Sequence, residues 1–230
     1  MNDTDRRSLA ARLRATAGLL MLLLIALAPV AHADDQERFG CGELENAYGP
    51  YDYTDPVKRR DNLPIVEQFH FTRSVESLSA GRSSSIIGDL DYTLRAFPNH
   101  HRALYAMARY QLDHPEQPGG RWYTIDCYFD RAIRFRPQDG TVHMIYGIYL
   151  ARKGQSKEAL DQYQEALTLL QDSAEVHYNM GLLYVEMGEF GKAREHAEKA
   201  YSLGYPLPGL RNQLISRGEW HEPAATPPNG

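Results

Sequence analysis

The residue types that suggest chemistry are concentrated in one stretch, FPNHHRALYAMARY, which runs from Phe97 to Tyr110. Two adjacent histidines, His100 and His101, and Arg102 follow a proline there. Imidazole groups bind metals and transfer protons, so this stretch is a candidate metal or catalytic centre. Adjacent residues point in different directions on a helix, however, and no third ligand stands in register with the pair. The elements around the stretch must decide its role.

Motifs of familiar catalytic and cofactor sites are absent from the sequence. It contains no GxSxG, HExxH, Walker loop, EF-hand loop or GxGxxG. We therefore expect no cofactor, no bound metal and no enzymatic activity. The formal net charge of −5 offers no basic footprint for nucleic acid, so we expect no nucleic-acid partner.

The N-terminal segment 1–33 has the features of a secretory signal. Arginines at 6, 7, 12 and 14 precede the apolar run GLLMLLLIALAPV, and Ala31-His32-Ala33 has the small-x-small pattern of a cleavage site. The pattern predicts export to the periplasm, with cleavage after Ala33 and no stable membrane insertion afterwards. An uncleaved membrane anchor is the alternative.

The two cysteines of the chain, Cys41 and Cys127, lie far apart in the sequence. In an exported protein we expect them to form a disulfide. The bridge would close a loop of roughly ninety residues and would stabilise the fold by about 4 kcal/mol. Two separate buried thiols remain the alternative, since spacing alone does not establish geometry.

A gapless internal repeat organises the second half of the chain. Residues 141–170 align on residues 175–204, with Gly147 on Gly181 and Gly154 on Gly188. A glycine inside a helix costs about 1 kcal/mol relative to alanine. Its presence at Gly147 therefore indicates that a second helix packs closely there. Gly154 and Gly188 come after the first helix of their units, where a left-handed cap is expected.

These residues closely resemble the tetratricopeptide repeat, a helix-turn-helix unit. The last unit matches it at Gly181, Tyr184, Gly188, Ala193 and Ala200. The resemblance implies an all-α fold, a right-handed solenoid of such repeats with an irregular N-terminal segment. The units are predicted at 67–100 (degenerate), 101–139, 140–173 and 174–207, with a capping helix at 208–219 and a disordered tail at 220–230.

The repeat register explains the opening stretch as a joint between two units. Pro98 stands where the repeat has its terminal proline, and His101 begins the next unit. We expect Asn99 to cap the following helix and both histidines to be exposed. His70, His143 and His177 occupy the fourth place of three units, which favours packing within each repeat.

Residues 34–66 fit no repeat and are rich in tyrosine and proline. We expect a coil that caps the first repeat, held by aromatic packing and the disulfide. The alternative is a lid or pseudo-ligand that lies in the groove of the solenoid.

The resemblance also implies a concave surface built from the first helix of each unit. The residues expected to bind a partner there are Arg102, Tyr105, Arg109, Met144, Ile148, Arg152, Tyr178 and Leu182. Tyrosine, arginine and methionine are typical of protein-binding surfaces. We therefore expect an adaptor or scaffold that binds a protein or peptide partner in the cell envelope, with the assembly of an envelope complex as its role. The alternative is a small exported enzyme or metal-binding protein that uses the histidine joint and the tyrosine-rich segment.

Overall fold

The computed structural model describes residues 40–116 and 122–220. The predicted signal 1–33, residues 34–39 and residues 221–230 of the predicted tail lie outside the described residues. All regular structure within the described ranges is helical, which confirms the all-α fold class. None of the helices in these ranges is both long and apolar enough to cross a membrane.

Eleven helices follow one another along the described residues. They are α1 (Pro56–Asp61), α2 (Leu63–His70), α3 (Arg73–Glu76), α4 (Ile86–Ala96), α5 (His101–Asp113), α6 (Ile125–Phe135), α7 (Gly140–Arg152), α8 (Ser156–Leu169), α9 (Ala174–Glu186), α10 (Phe190–Ser202) and α11 (Gly209–Ser216). Helix α7 packs against α8, and α9 packs against α10, as the two helices of one repeat do. Helix α5 lies beside α7, so the first helices of successive units are neighbours.

Glycines shape the repeats at the places that the sequence indicates. A Cβ atom on Gly147 would lie 2.6 Å from the Cδ1 atom of the Tyr163 ring, so only glycine lets α7 and α8 approach this closely. Gly154 and Gly188 both have φ of +75°, a left-handed conformation that favours glycine at the end of a helix. The turns of both units therefore follow from the same residue at the same repeat position.

The first helical pair differs from the sequence expectation. The expected irregular segment 34–66 contains α1 and part of α2. The Asp55 side chain caps α1 by accepting hydrogen bonds from the amides of Val57 and Lys58. Leu63 and Val66 bury the inner face of α2, which packs against α4. Only the four residues of α3 are helical between residues 71 and 85, so α2 is the helix that pairs with α4 in the predicted unit 67–100.

The chain before α1 contains no regular element from residue 40 onwards and is fastened at several points. A disulfide joins Cys41 to Cys127 on α6, with the two Cα atoms 5.0 Å apart. The amide of Tyr51 donates to the carbonyl oxygen of Ala96 at 2.8 Å, and Tyr53 is buried in a small apolar cluster with Phe97. The segment thus runs from α6 across the end of α4 to α1.

Candidate partner-binding groove

A groove of about 770 Å³ lies along α5, α7 and α9, the first helices of three successive units. Its walls include seven of the eight residues expected from the sequence. These are Arg102, Tyr105, Arg109, Met144, Ile148, Arg152 and Leu182. The repeat register places them on one surface because equivalent positions of stacked units face the same side.

Arg102 is held in place at the first end of the groove. Its guanidinium makes two hydrogen bonds to the carboxylate of Glu76, at 2.7 and 2.5 Å, and lies 3.3 Å from Glu67. The group also lies over the Phe71 ring, 5.3 Å from its centroid. The hydrogen bond from Arg102 lowers the pKa of Glu76, so this carboxylate stays ionised. Acidic neighbours therefore already balance the charge of Arg102.

Arg109 and Arg152 differ from Arg102 in their surroundings. The guanidinium of Arg109 lies 5.9 Å from the ring centroid of Tyr105, one turn earlier on α5. Tyr105 has 36% of its surface exposed, which is high for a residue in the middle of a helical repeat. Neither arginine forms an ion pair with any described acidic residue. Their charges can meet a ligand without first breaking an internal pair.

The floor of the groove is apolar. Met144 and Ile145 on α7 are buried, and Ile148 is half-buried one turn further along the helix. Leu182 continues this surface on α9. An apolar side chain placed here would lose contact with water on most of its surface, which favours binding.

The far end of the groove departs from the expectation at one residue. Tyr178 is only 8% exposed and does not line the groove. Its ring stacks on that of Tyr205, with 4.1 Å between the centroids, and Tyr205 lines the groove instead. The segment after α10 folds back over Tyr178, which the repeat pattern does not indicate because Tyr205 stands near the end of its unit.

Sequence reasoning missed two acidic residues of the groove, Glu175 and Glu186 on α9. A signal for them existed. Glu175 holds the same place in its unit as Arg102, and Glu186 the same place as Arg152. A search for aromatic, apolar and basic side chains overlooks this change of charge sign from unit to unit.

The described part of the N-terminal segment lies outside the groove. None of residues 40–66 lines it. Tyr53 stacks on His100 with 4.3 Å between ring centroids, and Tyr51 lies 5.4 Å from Phe97. These contacts favour a cap on the first repeats over a pseudo-ligand in the groove.

Residues 97–100 of the joint are buried, and His101 is half-buried. His100 has no exposed surface, so the expectation of an exposed histidine was wrong. Its Nδ1 accepts from the amide of Ala103 and caps α5, the role expected of Asn99. Nδ1 is thus an acceptor, which leaves Nε2 to donate to Glu67 at 3.2 Å. Burial lowers the pKa of His100, and the Glu67 carboxylate opposes this shift.

Asn99 is fully buried and connects three parts of the chain. Its amide nitrogen donates to Asp52 at 2.8 Å and to Asp139 at 2.9 Å, while its oxygen accepts from the backbone amide of Tyr53. Asp139 also accepts from His101 Nε2 at 2.8 Å. The polar groups of the joint thus hold the N-terminal segment, α5 and the start of α7 together.

The histidines at the fourth place of the units form one recurring contact. Each Nδ1 lies within 3.0 Å of a side chain 19 residues further on, in the second helix of the same pair: His70 with Asp89, His143 with Gln162, and His177 with His196. The contact joins the two helices of each pair. The described residues contain no cluster of three or more metal-ligating side chains.

Comparison with known proteins agrees with this architecture. A family model described as TPR repeat matches residues 149–188, and one described as tetratricopeptide repeat matches residues 174–204. The chain therefore contains tetratricopeptide repeats, which the two models place within residues 149–204. The two matches cover α8 to α10 and the end of α7, where the sequence repeat is clearest.

Curated relatives of this tetratricopeptide-repeat protein include peroxisomal targeting signal receptors. The receptor of Candida albicans is 35% identical over 80 residues, and that of Candida glabrata is 32% identical over 80 residues. The matched region is 35% of this chain and 13% of either receptor, so the chain spans only a small part of their length.

Two solved structures resemble the tetratricopeptide-repeat protein in part. One is a crystal structure of MamA protein, with a TM-score of 0.47, 20% identity, and coverage of 68% of this chain and 82% of that chain. The other is a thermophilic TPR protein of Thermus thermophilus, with a TM-score of 0.43, 22% identity, and coverage of 58% of this chain and 74% of that chain.

Proposed function

We propose that this tetratricopeptide-repeat protein is an exported adaptor that binds a segment of another protein in its groove, in the assembly of an envelope complex. The observation that carries the proposal is that α5, α7 and α9 place Tyr105, Arg109, Ile148 and Leu182 on one open surface. Tyrosine and arginine are enriched among the residues that dominate binding energies at protein interfaces.

Export is proposed from the N-terminal segment 1–33 and from the cysteines. The basic, apolar and small-residue regions follow the order of a secretory signal. The disulfide between Cys41 and Cys127 fits an oxidising compartment such as the periplasm.

The alternative of an enzyme or metal-binding protein places its chemistry at the joint. There His100 is buried and uses both ring nitrogens, one on the Ala103 amide and one on Glu67. His101 is bonded to Asp139, which Asn99 also holds. The proposal therefore assigns these polar groups to holding the chain segments together and assigns the protein no catalysis.

Partner capture tests the proposal. The purified protein without its predicted signal is immobilised and exposed to the envelope fraction of the organism that encodes it. A Tyr105→Ala/Arg109→Ala variant is treated in the same way. Both side chains reach into the groove, and neither is buried, so the variant should keep its helix content. We expect a partner that the protein retains and the variant loses, since such residues often contribute about 2 kcal/mol or more.

A Val57→Ala/Ile215→Ala variant is the matched control. Both residues are exposed large apolar side chains that lie away from the groove. Its capture of the same partner should equal that of the unchanged protein. If the groove variant folds and captures the partner as well as the unchanged protein does, the groove is not the binding site.

A further inference from the structure

The groove is mainly positive along α5 and α7 and negative along α9. Arg109 on α5 and Arg152 on α7 line the part nearer the N-terminus, and Glu175 and Glu186 on α9 line the far part. The change follows the repeat register, since the second place of the three units holds Arg102, Thr141 and Glu175 in turn. The charge of the groove thus changes sign along the direction in which a bound segment would lie.

These four charged groups are available to a ligand. None of Arg109, Arg152, Glu175 and Glu186 forms an ion pair within 4.0 Å of another described residue. Arg102 behaves differently, because Glu76 and Glu67 already bind it. Arg152 and Glu186 both lie near Tyr163, where they act on its hydroxyl with opposite sign, yet they do not pair with each other. Glu76 also lines the first part, so three arginines and one glutamate give α5, α7 and their neighbour a net charge of +2, while Glu175 and Glu186 give α9 a net charge of −2.

Apolar side chains line the groove on the same helices as these charges. Ile148 lies on α7 and Leu182 on α9, and Tyr105 lines α5. Packed helices lie about 8–10 Å apart, so the distance from α5 to α9 is roughly 16–20 Å. An extended chain covers this distance in about six residues.

We infer that the groove binds an extended segment of about six residues whose two ends carry opposite charge, acidic over α5 and α7 and basic over α9, and whose apolar side chains contact Ile148 and Leu182. This inference rests on the proposed function and specifies the chemistry of the partner. The charge pattern also fixes the direction in which the segment lies, because the reversed arrangement places like charges together at both ends.

A peptide library tests the inference. Octapeptides with free combinations of aspartate, leucine, tyrosine, serine and lysine, acetylated and amidated at their termini, are selected on the protein without its predicted signal. We expect selected peptides to have aspartates at one end, lysines at the other and apolar residues between. Enrichment that is uniformly acidic, or that mixes both charges along the peptide, would overturn the inference.

Charge reversal then links the selected peptide to the four residues. Arg109→Glu/Arg152→Glu and Glu175→Lys/Glu186→Lys should each weaken binding of the best selected peptide by about tenfold or more. A variant with all four changes should regain binding of the peptide in which aspartate and lysine are exchanged, because both of its ends again meet opposite charge. Lys157→Glu/Glu165→Lys on α8, at positions outside the groove, is the control and should leave binding unchanged.

The outcomes separate the inference from the proposed function. Peptide binding that Tyr105→Ala/Arg109→Ala abolishes, but that Glu175→Lys/Glu186→Lys leaves within about twofold, contradicts the bipolar segment and keeps the groove as the site. Selected peptides whose binding is unaffected by every groove variant contradict both. Absence of any enrichment on a folded protein also contradicts the bipolar segment as the occupant.

Discussion

Nη1 of Arg131 donates a hydrogen bond to the carbonyl oxygen of Cys41 at 3.1 Å, across 90 residues of sequence. The same nitrogen reaches the carbonyl oxygens of Gly42 and Glu43, at 3.3 and 2.6 Å. Arg131 is only 2% exposed, and burial lowers the pKa of its guanidinium. The two N–H groups of this one nitrogen on α6 are therefore shared among three backbone carbonyls of the N-terminal segment next to the disulfide.

Replacing this arginine should loosen the segment. Arg131→Met keeps much of the side-chain volume but leaves the three carbonyl groups without this donor, and unsatisfied buried polar groups are costly. We expect the free energy of unfolding, measured in urea, to fall by about 2–4 kcal/mol. Arg134→Met is the control, since the half-buried Arg134 reaches only Gly42 among these carbonyls and its loss should cost less. Equal losses for the two variants would contradict this account of Arg131.

The disulfide should add to the same attachment. It joins residues 86 positions apart, so its removal by Cys41→Ser/Cys127→Ser should lower the free energy of unfolding by about 4 kcal/mol in the chain-entropy model. In the unchanged protein, an alkylating reagent should modify neither cysteine until a reductant is added, as mass spectrometry would show. Two alkylated cysteines in the native, unreduced protein would show that the bridge is absent.

Two glycines on helices should respond to alanine with opposite sign. Gly147→Ala forces a Cβ against the rigid ring of Tyr163, so we expect a loss of about 1–3 kcal/mol in unfolding free energy. Gly191→Ala on α10 meets no atom within 4 Å and should gain up to about 1 kcal/mol from helix propensity. Thermal unfolding of the two variants compares them directly, and a stabilised Gly147→Ala protein would rule out the close packing of α7 on α8.

Acid should destabilise the last repeat through His177 and His196, whose Nδ1 atoms lie 3.0 Å apart. Burial is the first cause that lowers the pKa of each, and nearby positive charge adds to it, from Lys199 on His177 and from His177 on His196. The unfolded chain therefore binds protons more readily than the folded one below an ordinary histidine pKa of 6.5. The free energy of unfolding should keep its full value above this pH and should fall as the pH decreases towards about 5.

A single substitution isolates this effect. His196→Gln reproduces the His143–Gln162 pair of the preceding repeat, so the hydrogen bond remains while one titrating group is lost. The decrease in unfolding free energy between about pH 7.5 and pH 5 should become smaller than in the unchanged protein. His114→Gln, at an exposed position after α5, should leave the decrease unchanged. An identical pH profile for His196→Gln would show that this pair does not contribute.

The sequence predicts the repeats well because their signal is local. Gly147, Gly154 and their equivalents Gly181 and Gly188 mark helix contacts and turns that depend mainly on residues near them in the chain. Helix α2 was not predicted because it begins at Leu63, before residue 67, where the predicted repeat unit starts. Its helix-forming features are its own, namely buried apolar residues on one face and a proline near its start.

The residues of the groove could be predicted only where they occupy equivalent positions of successive repeats. Arg109, Ile148 and Leu182 occupy one such position and line the groove together. Tyr178 does not line it, because Tyr205 folds back over it from a later segment. The burial of His100 has a related cause. Tyr53 covers it, and nothing in the local sequence shows that a residue of the N-terminal segment packs there.

Site-specific crosslinking tests the central claim, binding in the groove, most directly. A photoreactive phenylalanine analogue replaces Ile148 on the groove floor in one protein and the exposed Ile215 on α11 in another. Both proteins are illuminated with the envelope fraction, and the adducts are identified by mass spectrometry. We expect the probe at position 148 to crosslink one partner through a short segment of its chain, and the probe at position 215 to leave that segment unlabelled. Crosslinking of the partner from position 215 and none from position 148 would contradict the claim.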